Sequence, residues 1–408
     1  MALKFPIFMD AQSTTPCDPR VVEAMLPYFT EKFGHPASRN HPFGWEAEGA
    51  VDAARQRIAS LLGARDPKEL VFTSGGTEAI NLALKGAAEM YREKGNHIVT
   101  TMIEQRAGLD TCKRLERQGF EVTYVPVRPS GLVDVDDVGR AITDRTILVS
   151  VMFANNEIGT LQDVAAIGKL AKARGVIFHT DATQAVGKVP VDVEAMGIDL
   201  LSCTAHLMYG PKGVGALYVR RRGPRVRLQP MLDGGGHERG MRSGTLPVPL
   251  IVGFGRAAEL CAEGMPEEGA RLARLRDRLQ DMILSRVDEA FLNGDPARRL
   301  PHNLNISFAY VEGESVLMGL NKETALASGS ACTSATLEPS YVIAALGAST
   351  ELAHSSIRFS LHRFNTEEEV EFVGKRTIEV IGRLRDMSPL YELAKEGVDL
   401  KSIRWKAE

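Results

Sequence analysis

Cysteine is scarce in this sequence: five residues in 408, at Cys17, Cys112, Cys203, Cys261 and Cys332. Their odd number, wide scatter and lack of any paired CxxC exclude a disulfide framework and a zinc site, and fit free thiols in a reducing cytoplasm. Nor does any apolar run approach the roughly 18 residues of a membrane span. Met1 to Pro6 lack the basic flank and apolar core of a secretion signal. Charge is almost balanced, with 49 Lys and Arg against 52 Asp and Glu, a net of -3. That balance gives no attraction toward nucleic acid or membrane surfaces. What is present suits a large globular protein of two or three lobes, with 44% hydrophobic residues.

Short β-branched runs alternate with longer amphipathic stretches through the first 220 residues. The pattern predicts strands at Glu69–Thr73, His97–Thr101, Glu121–Val125, Thr146–Met152, Val176–Thr180, Ile198–Cys203 and Val214–Arg220. Apolar strands separated by helical crossovers predict a mostly parallel sheet covered on both faces, with ligands at the strand C-terminal ends. A long helical region follows from Pro249 to about Val287, then shorter strands such as Asn303–Phe308. The expected division is a large domain, residues 17–262, and a smaller α/β domain formed by residues 1–16 with 263–408.

Five segments carry chemistry. Thr73-Ser74-Gly75-Gly76-Thr77-Glu78 leads from a strand into a helix, where backbone N–H groups and the helix dipole favour an anion; a tight turn with a threonine cap fits equally. Asp181, at a strand end, suits a protonated pyridine nitrogen or a plain helix cap, with Gln184 one turn on. Thr204 to Gly213 links two strands. Gly234 to Thr245 is rich in glycine and cations, as a phosphate contact or a surface loop is. Ser328 to Ser334 is a polar loop of small residues carrying the thiol of Cys332, a setting in which cysteine reacts more readily than in an apolar strand, although a lone cysteine is more often inert.

In order, these segments resemble the housekeeping cysteine desulfurases of the class V aminotransferase family. The likeness runs from Asp10-Ala11-Gln12-Ser13-Thr14-Thr15-Pro16 to Ser388-Pro389-Leu390-Tyr391, and is densest at Asn155–Gly159, His237–Thr245 and Ser328–Ser340. It implies a fold-type I pyridoxal-phosphate enzyme, a homodimer with a seven-stranded large domain. Gly76, Thr77, Thr204 and His206 would hold the cofactor phosphate, joined by Thr245 from the other subunit. Asp181 would pair with the ring nitrogen, Asn156 and Gln184 would contact the ring oxygen and its surroundings, and Arg358 would clamp the substrate carboxylate. Cys332 would attack the sulfur of bound cysteine and carry it as a persulfide. The tail Gly397-Val398-Asp399-Leu400 and Ser402-Ile403-Arg404-Trp405 matches the end that binds the iron–sulfur scaffold protein.

Two positions depart from the family pattern. Thr204-Ala205-His206-Leu207 stands where the family reads Ser-Gly-His-Lys, so Leu207 replaces the Schiff-base lysine; Lys212 belongs to the neighbouring Gly-Pro-Lys-Gly turn and does not substitute for it. Gln105 replaces a histidine that stacks on the ring, and an amide lies flat but exchanges no protons near neutral pH. Acid–base participation alone is worth roughly 100- to 10,000-fold, so the expectation is desulfuration slowed by orders of magnitude, with pyridoxal phosphate held non-covalently or absent. Three roles follow. The first is a pseudo-enzyme of sulfur transfer in which Cys332 accepts sulfur from elsewhere or ligates an iron–sulfur cluster. The second is an active desulfurase, converting L-cysteine to L-alanine plus enzyme persulfide without the usual lysine. The third is a structural subunit of a lysine-bearing paralogue.

Overall fold

The computed structural model describes residues 3–329 and 338–396. Cys332 and the tail beyond Glu396 therefore lie outside the described residues. Twelve strands are present among those described, in chain order β1 (Ile7–Phe8), β2 (Leu70–Thr73), β3 (His97–Thr101), β4 (Glu121–Val125), β5 (Thr146–Ser150), β6 (Ile177–Asp181), β7 (Leu200–Thr204), β8 (Gly215–Val219), β9 (Ala290–Leu292), β10 (Asn303–Phe308), β11 (Thr324–Ala325) and β12 (Ser356–Ser360). The large sheet has seven strands in the order β2-β8-β7-β6-β5-β3-β4. From β4 to β7 every pairing is parallel, whereas β8 runs antiparallel to both β7 and β2.

Burial explains the apolar runs. β2, β3, β5, β7 and β8 are buried at every residue, as a sheet covered on both faces requires. Only the edge strand β4 alternates exposed and half-buried positions. On one face, Val71, Ile98, Leu148, Leu200 and Leu217 pack against the helix Gly76–Met90. On the other, Phe72, Val99, Val149, Phe178 and Leu201 meet residues of the helices Pro42–Leu61 and Val248–Leu284.

A second core gathers Leu304, Ile306, Phe308, Ile357 and Phe359 from the three-stranded sheet β12-β10-β9, with Val370, Val373, Val380 and Ile381 of the helix Glu367–Asp386. Ile7 and Met9 of the N-terminal segment join it. The helix Val248–Leu284 contributes to both cores: its residues up to Cys261 pack on the large sheet, and those from Leu272 on the small one. Pro266 lies between the two stretches. Its ring removes one intrahelical N–H donor where neither core claims the helix. Among the described residues, no helix is long and apolar enough to cross a membrane.

Strand order places the ligand crevice. The chain moves outward from β3 to β4 in one direction and from β5 through β6 to β7 in the other. The topological switch therefore falls between β3 and β5, and ligands in open parallel sheets bind beyond the carboxyl ends at such a point.

Candidate active site

The segments following β3, β5, β6 and β7 converge beyond that crevice. Glu104, just after β3, ties two of them together. Its Oε1 accepts from Thr101 Oγ1 at 2.7 Å and from the Met152 N–H at 2.9 Å, and its carbonyl accepts from Tyr341 Oη at 2.7 Å. Burial pushes its carboxyl up to about 8, so it is uncharged at neutral pH. Gln105 follows as the N-cap of the helix Arg106–Glu116. Rather than lying free above the crevice, its Nε2 donates to Asp181 Oδ2 at 2.7 Å.

Asp181 is the last residue of β6 and is 4% exposed. Its other oxygen accepts from the Thr183 N–H at 3.0 Å. Burial raises its carboxyl above the ordinary range, opposed by hydrogen bonds from Thr183 and Gln105. The carboxylate thus caps the following turn with one oxygen and accepts from Gln105 with the other. Gln184, one turn on, donates from Nε2 to the Gln12 carbonyl at 3.0 Å.

The loop after β2 opens the helix Gly76–Met90. A Cβ at Gly76 would come within 2.7 Å of Thr183 Cγ2, so any side chain here would push Thr183 aside. The helix N-terminus around Gly76 and Thr77 therefore lies against the turn after Asp181, a place suited to a phosphate. Arg242, from the glycine-rich 234–245 segment, donates from Nε to Glu78 Oε1 at 2.8 Å. This pair ties that segment to the same helix start, while Thr245 itself is exposed. Thr204, the end of β7, sends Oγ1 toward the Val214 carbonyl at 3.4 Å.

His206 and Leu207 sit in the single 3-10 turn after β7. Burial pushes the His206 imidazole below its ordinary range, with Lys212 adding to the effect, so it is neutral. The ring meets Thr14 Oγ1 at 3.2 Å. Leu207 is 7% exposed and offers only methyl groups. The turn is fixed from the N-terminal segment: Thr15 N–H and Oγ1 both donate to the His206 carbonyl, at 2.9 and 2.8 Å. Next, Tyr209 takes a left-handed φ of 64°, rare for a residue with a side chain. Its N–H donates to Thr15 Oγ1 at 2.9 Å, its carbonyl accepts from Asp18 N–H at 2.9 Å, and its hydroxyl accepts from Arg363 N–H at 3.0 Å.

Arg358, on β12, is 2% exposed. Nη1 donates to the Asn156 carbonyl at 2.8 Å, and Nη2 to Asp10 Oδ1 at 2.6 Å and Ser13 Oγ at 2.8 Å. Asn156 is thereby brought to the Arg358 side of the crevice. Several buried polar atoms around this point have no partner: Arg358 Nε, Asn156 Oδ1, Glu157 Oε1, Gln12 Nε2 and Asn303 Oδ1. Native interiors rarely leave such groups unpaired, and ordered water or a polar ligand supplies the missing partners in such clusters. Sequence reasoning missed Gln12, Glu104 and Asp10 as members of this site. For Asp10 and Gln12 the available signal was an acidic and amide pair in a short run directly after the apolar Ile7–Met9.

The sequence matches the family model "Aminotransferase class-V" over residues 7–373. The chain belongs to the class V aminotransferase family. Within it, the chain is 57% identical over 405 residues to "Cysteine desulfurase IscS" of Salmonella typhi, and equally to that of Enterobacter sp. (strain 638), covering 99% of each chain. Among solved structures it resembles a "NIFS-LIKE PROTEIN", with a TM-score of 0.85 and 36% identity over 93% of this chain and all of that one. "SspA in complex with cysteine" matches with a TM-score of 0.78 and 36% identity over 88% of this chain and all of that one. Pyridoxal phosphate is the coenzyme expected of this family. The helix start at Gly76, the buried Asp181 and the unpaired polar cluster fit its phosphate, its ring and an attached amino acid. Leu207 supplies no amine for its aldehyde.

Proposed function

We propose that this chain is a desulfurase-type sulfur-transfer protein that takes sulfur from L-cysteine onto Cys332 and passes it on for iron–sulfur cluster assembly. The observation that carries this reading is identity of 57% to IscS cysteine desulfurases along 99% of the chain. Of the roles open from the sequence, this similarity favours retained desulfuration over a pseudo-enzyme, and nothing in the comparisons supports loss of activity. The domain division, a homodimer in which Thr245 serves the other subunit, a scaffold protein on the tail beyond Gly397 and a cytoplasmic setting belong to the same proposal. A lysine-bearing paralogue is a further partner compatible with it.

The reaction requires the Cβ–S bond of L-cysteine to break and an S–S bond to form on the Cys332 sulfur, with a proton delivered to Cβ so that L-alanine leaves. When bound, pyridoxal phosphate supplies the electron sink that labilises the substrate carbon framework. The chain's own groups orient and screen. Arg358 faces the substrate carboxylate, Asp181 provides a negative group for the ring, and the buried 3-10 turn at Leu207 keeps water out. Proton exchange is the weak link, since neither Leu207 nor Gln105 titrates near neutral pH.

The unaltered protein, supplied with pyridoxal phosphate, L-cysteine and a thiol reductant that discharges the persulfide as sulfide, is therefore expected to release sulfide slowly. Leu207→Lys with Gln105→His should raise the rate by at least about 100-fold. A double variant no faster than the unaltered protein refutes the roles given to positions 105 and 207. Absence of sulfide from both refutes the desulfurase reading.

A further inference from the structure

Gln12 stands where the N-terminal segment meets both sheets. Its N–H donates to Ser360 Oγ at 3.1 Å, its carbonyl accepts from Gln184 Nε2 at 3.0 Å, and its side-chain Oε1 accepts from Asn303 Nδ2 at 2.6 Å. These contacts lock the side chain and decide which way its amide points. Asn303 Nδ2 also donates to the Glu157 carbonyl at 2.9 Å, which fixes it as a nitrogen. Gln12 must then turn its oxygen to Asn303 and its nitrogen away. That nitrogen is buried without a partner in a residue 3% exposed. Native interiors rarely leave a buried donor unpaired.

Arg358 supplies the reason for a second donor. Three of its five N–H donors already go to Asn156, Asp10 and Ser13, and Asp10 offsets the guanidinium charge at 2.6 Å. Nε alone among its nitrogens is unpartnered. A carboxylate arriving here meets a cation already paired with an anion, so neutral donors around it must complete its hydrogen bonding. Asp10 and Ser13, which hold Arg358, flank Gln12 in the chain, so both unpaired donors are carried by one short segment and its partner.

We propose that Gln12 is a substrate-recognition residue whose Nε2–H donates to the α-carboxylate of the amino acid held at Arg358. This rests on the pocket's being the amino-acid site of the desulfurase reading. It assigns carboxylate selection to a neutral amide together with a partly neutralised arginine.

The test is equilibrium binding by calorimetry on the full chain, with stable adducts that need no lysine. The probes are N-(5′-phosphopyridoxyl)-L-alanine and its carboxylate-free counterpart, N-(5′-phosphopyridoxyl)ethylamine. The unaltered protein should prefer the alanine adduct. Gln12→Ala should weaken that adduct about tenfold, the value of one hydrogen bond to a charged acceptor, and leave the ethylamine adduct within about twofold. Gln12→Glu keeps an oxygen for Asn303 but turns an anion toward the carboxylate, and should weaken the alanine adduct further. Equal weakening of both adducts, or no weakening of either, overturns the role of Gln12. Arg358→Lys separates the two levels: if it erases the preference while the Gln12 variants keep it, only the proposal for Gln12 fails. If no variant alters the preference, or the unaltered protein binds neither adduct, the amino-acid site falls and the proposal with it.

Discussion

Replacing Glu104 by glutamine should remove a pH-dependent loss of stability. In the unfolded chain this carboxyl titrates near its ordinary 4.5, whereas burial moves it to about 8 in the fold. Between those values the folded state holds one more proton, so stability falls as pH rises, by about 1.4 kcal/mol per pH unit. Across the window the penalty reaches an upper limit on the order of 5 kcal/mol, and above pH 8 it is constant. Glutamine keeps an oxygen for Thr101 Oγ1 and the Met152 N–H, the contacts that join the ends of β3 and β5. Urea unfolding of both proteins from pH 4.5 to 9 is the assay. Their midpoints should nearly coincide at pH 4.5 and separate steadily, with Glu104→Gln the more stable by several kcal/mol at pH 8.5. The other buried carboxyls, Asp181, Glu157 and Asp199, are raised in the same direction, but they are common to both proteins and cancel in the difference. Parallel curves across the whole range would show that Glu104 is ionised in the fold, and the reasoning would fail.

Glu238 roots the glycine-rich segment through Arg55, with bonds of 2.8 and 2.7 Å, and accepts from Phe72 N–H at 2.7 Å, almost wholly out of solvent. Glu238→Ala should cost about 3–5 kcal/mol because it strands a buried guanidinium, and a change below about 1 kcal/mol in chemical denaturation would contradict this. Arg55→Met with Glu238→Met should be less damaging than Glu238→Ala alone, since it removes both charges and leaves Leu70 O its bond from Arg239. A double variant less stable than the single one would argue that the pair is a net stabiliser.

Much of the fold was legible in the sequence because buried parallel strands write themselves as apolar runs. The bounds of β3, β4 and β10 coincide with the expected segments. Elsewhere the apolar run outlasts the ladder: Val151 and Met152 are buried beyond the end of β5, and Val214 lies buried just before β8. The site was legible where a motif is local, as in the Gly76–Thr77 helix start or Asp181 at its strand end. It was illegible where partners are remote. Nothing in the neighbourhood of Gln105 announces a hydrogen bond to a residue 76 positions away, and Arg358 finds Asp10 across 348 positions. Gln12 belongs to this second kind, because its burial follows from the N-terminal segment crossing between two sheets rather than from any periodicity of its own.

The central claim, that sulfur from L-cysteine reaches Cys332, is tested most directly by mass analysis of the peptide carrying that residue. The unaltered protein is incubated with pyridoxal phosphate and sulfur-labelled L-cysteine, trapped with an alkylating reagent and digested. One labelled sulfur atom added at Cys332, and none in the Cys332→Ser protein, is the predicted result. A Cys332 peptide that stays unlabelled in the unaltered protein, whatever happens at Cys17, Cys112, Cys203 and Cys261, would contradict the account.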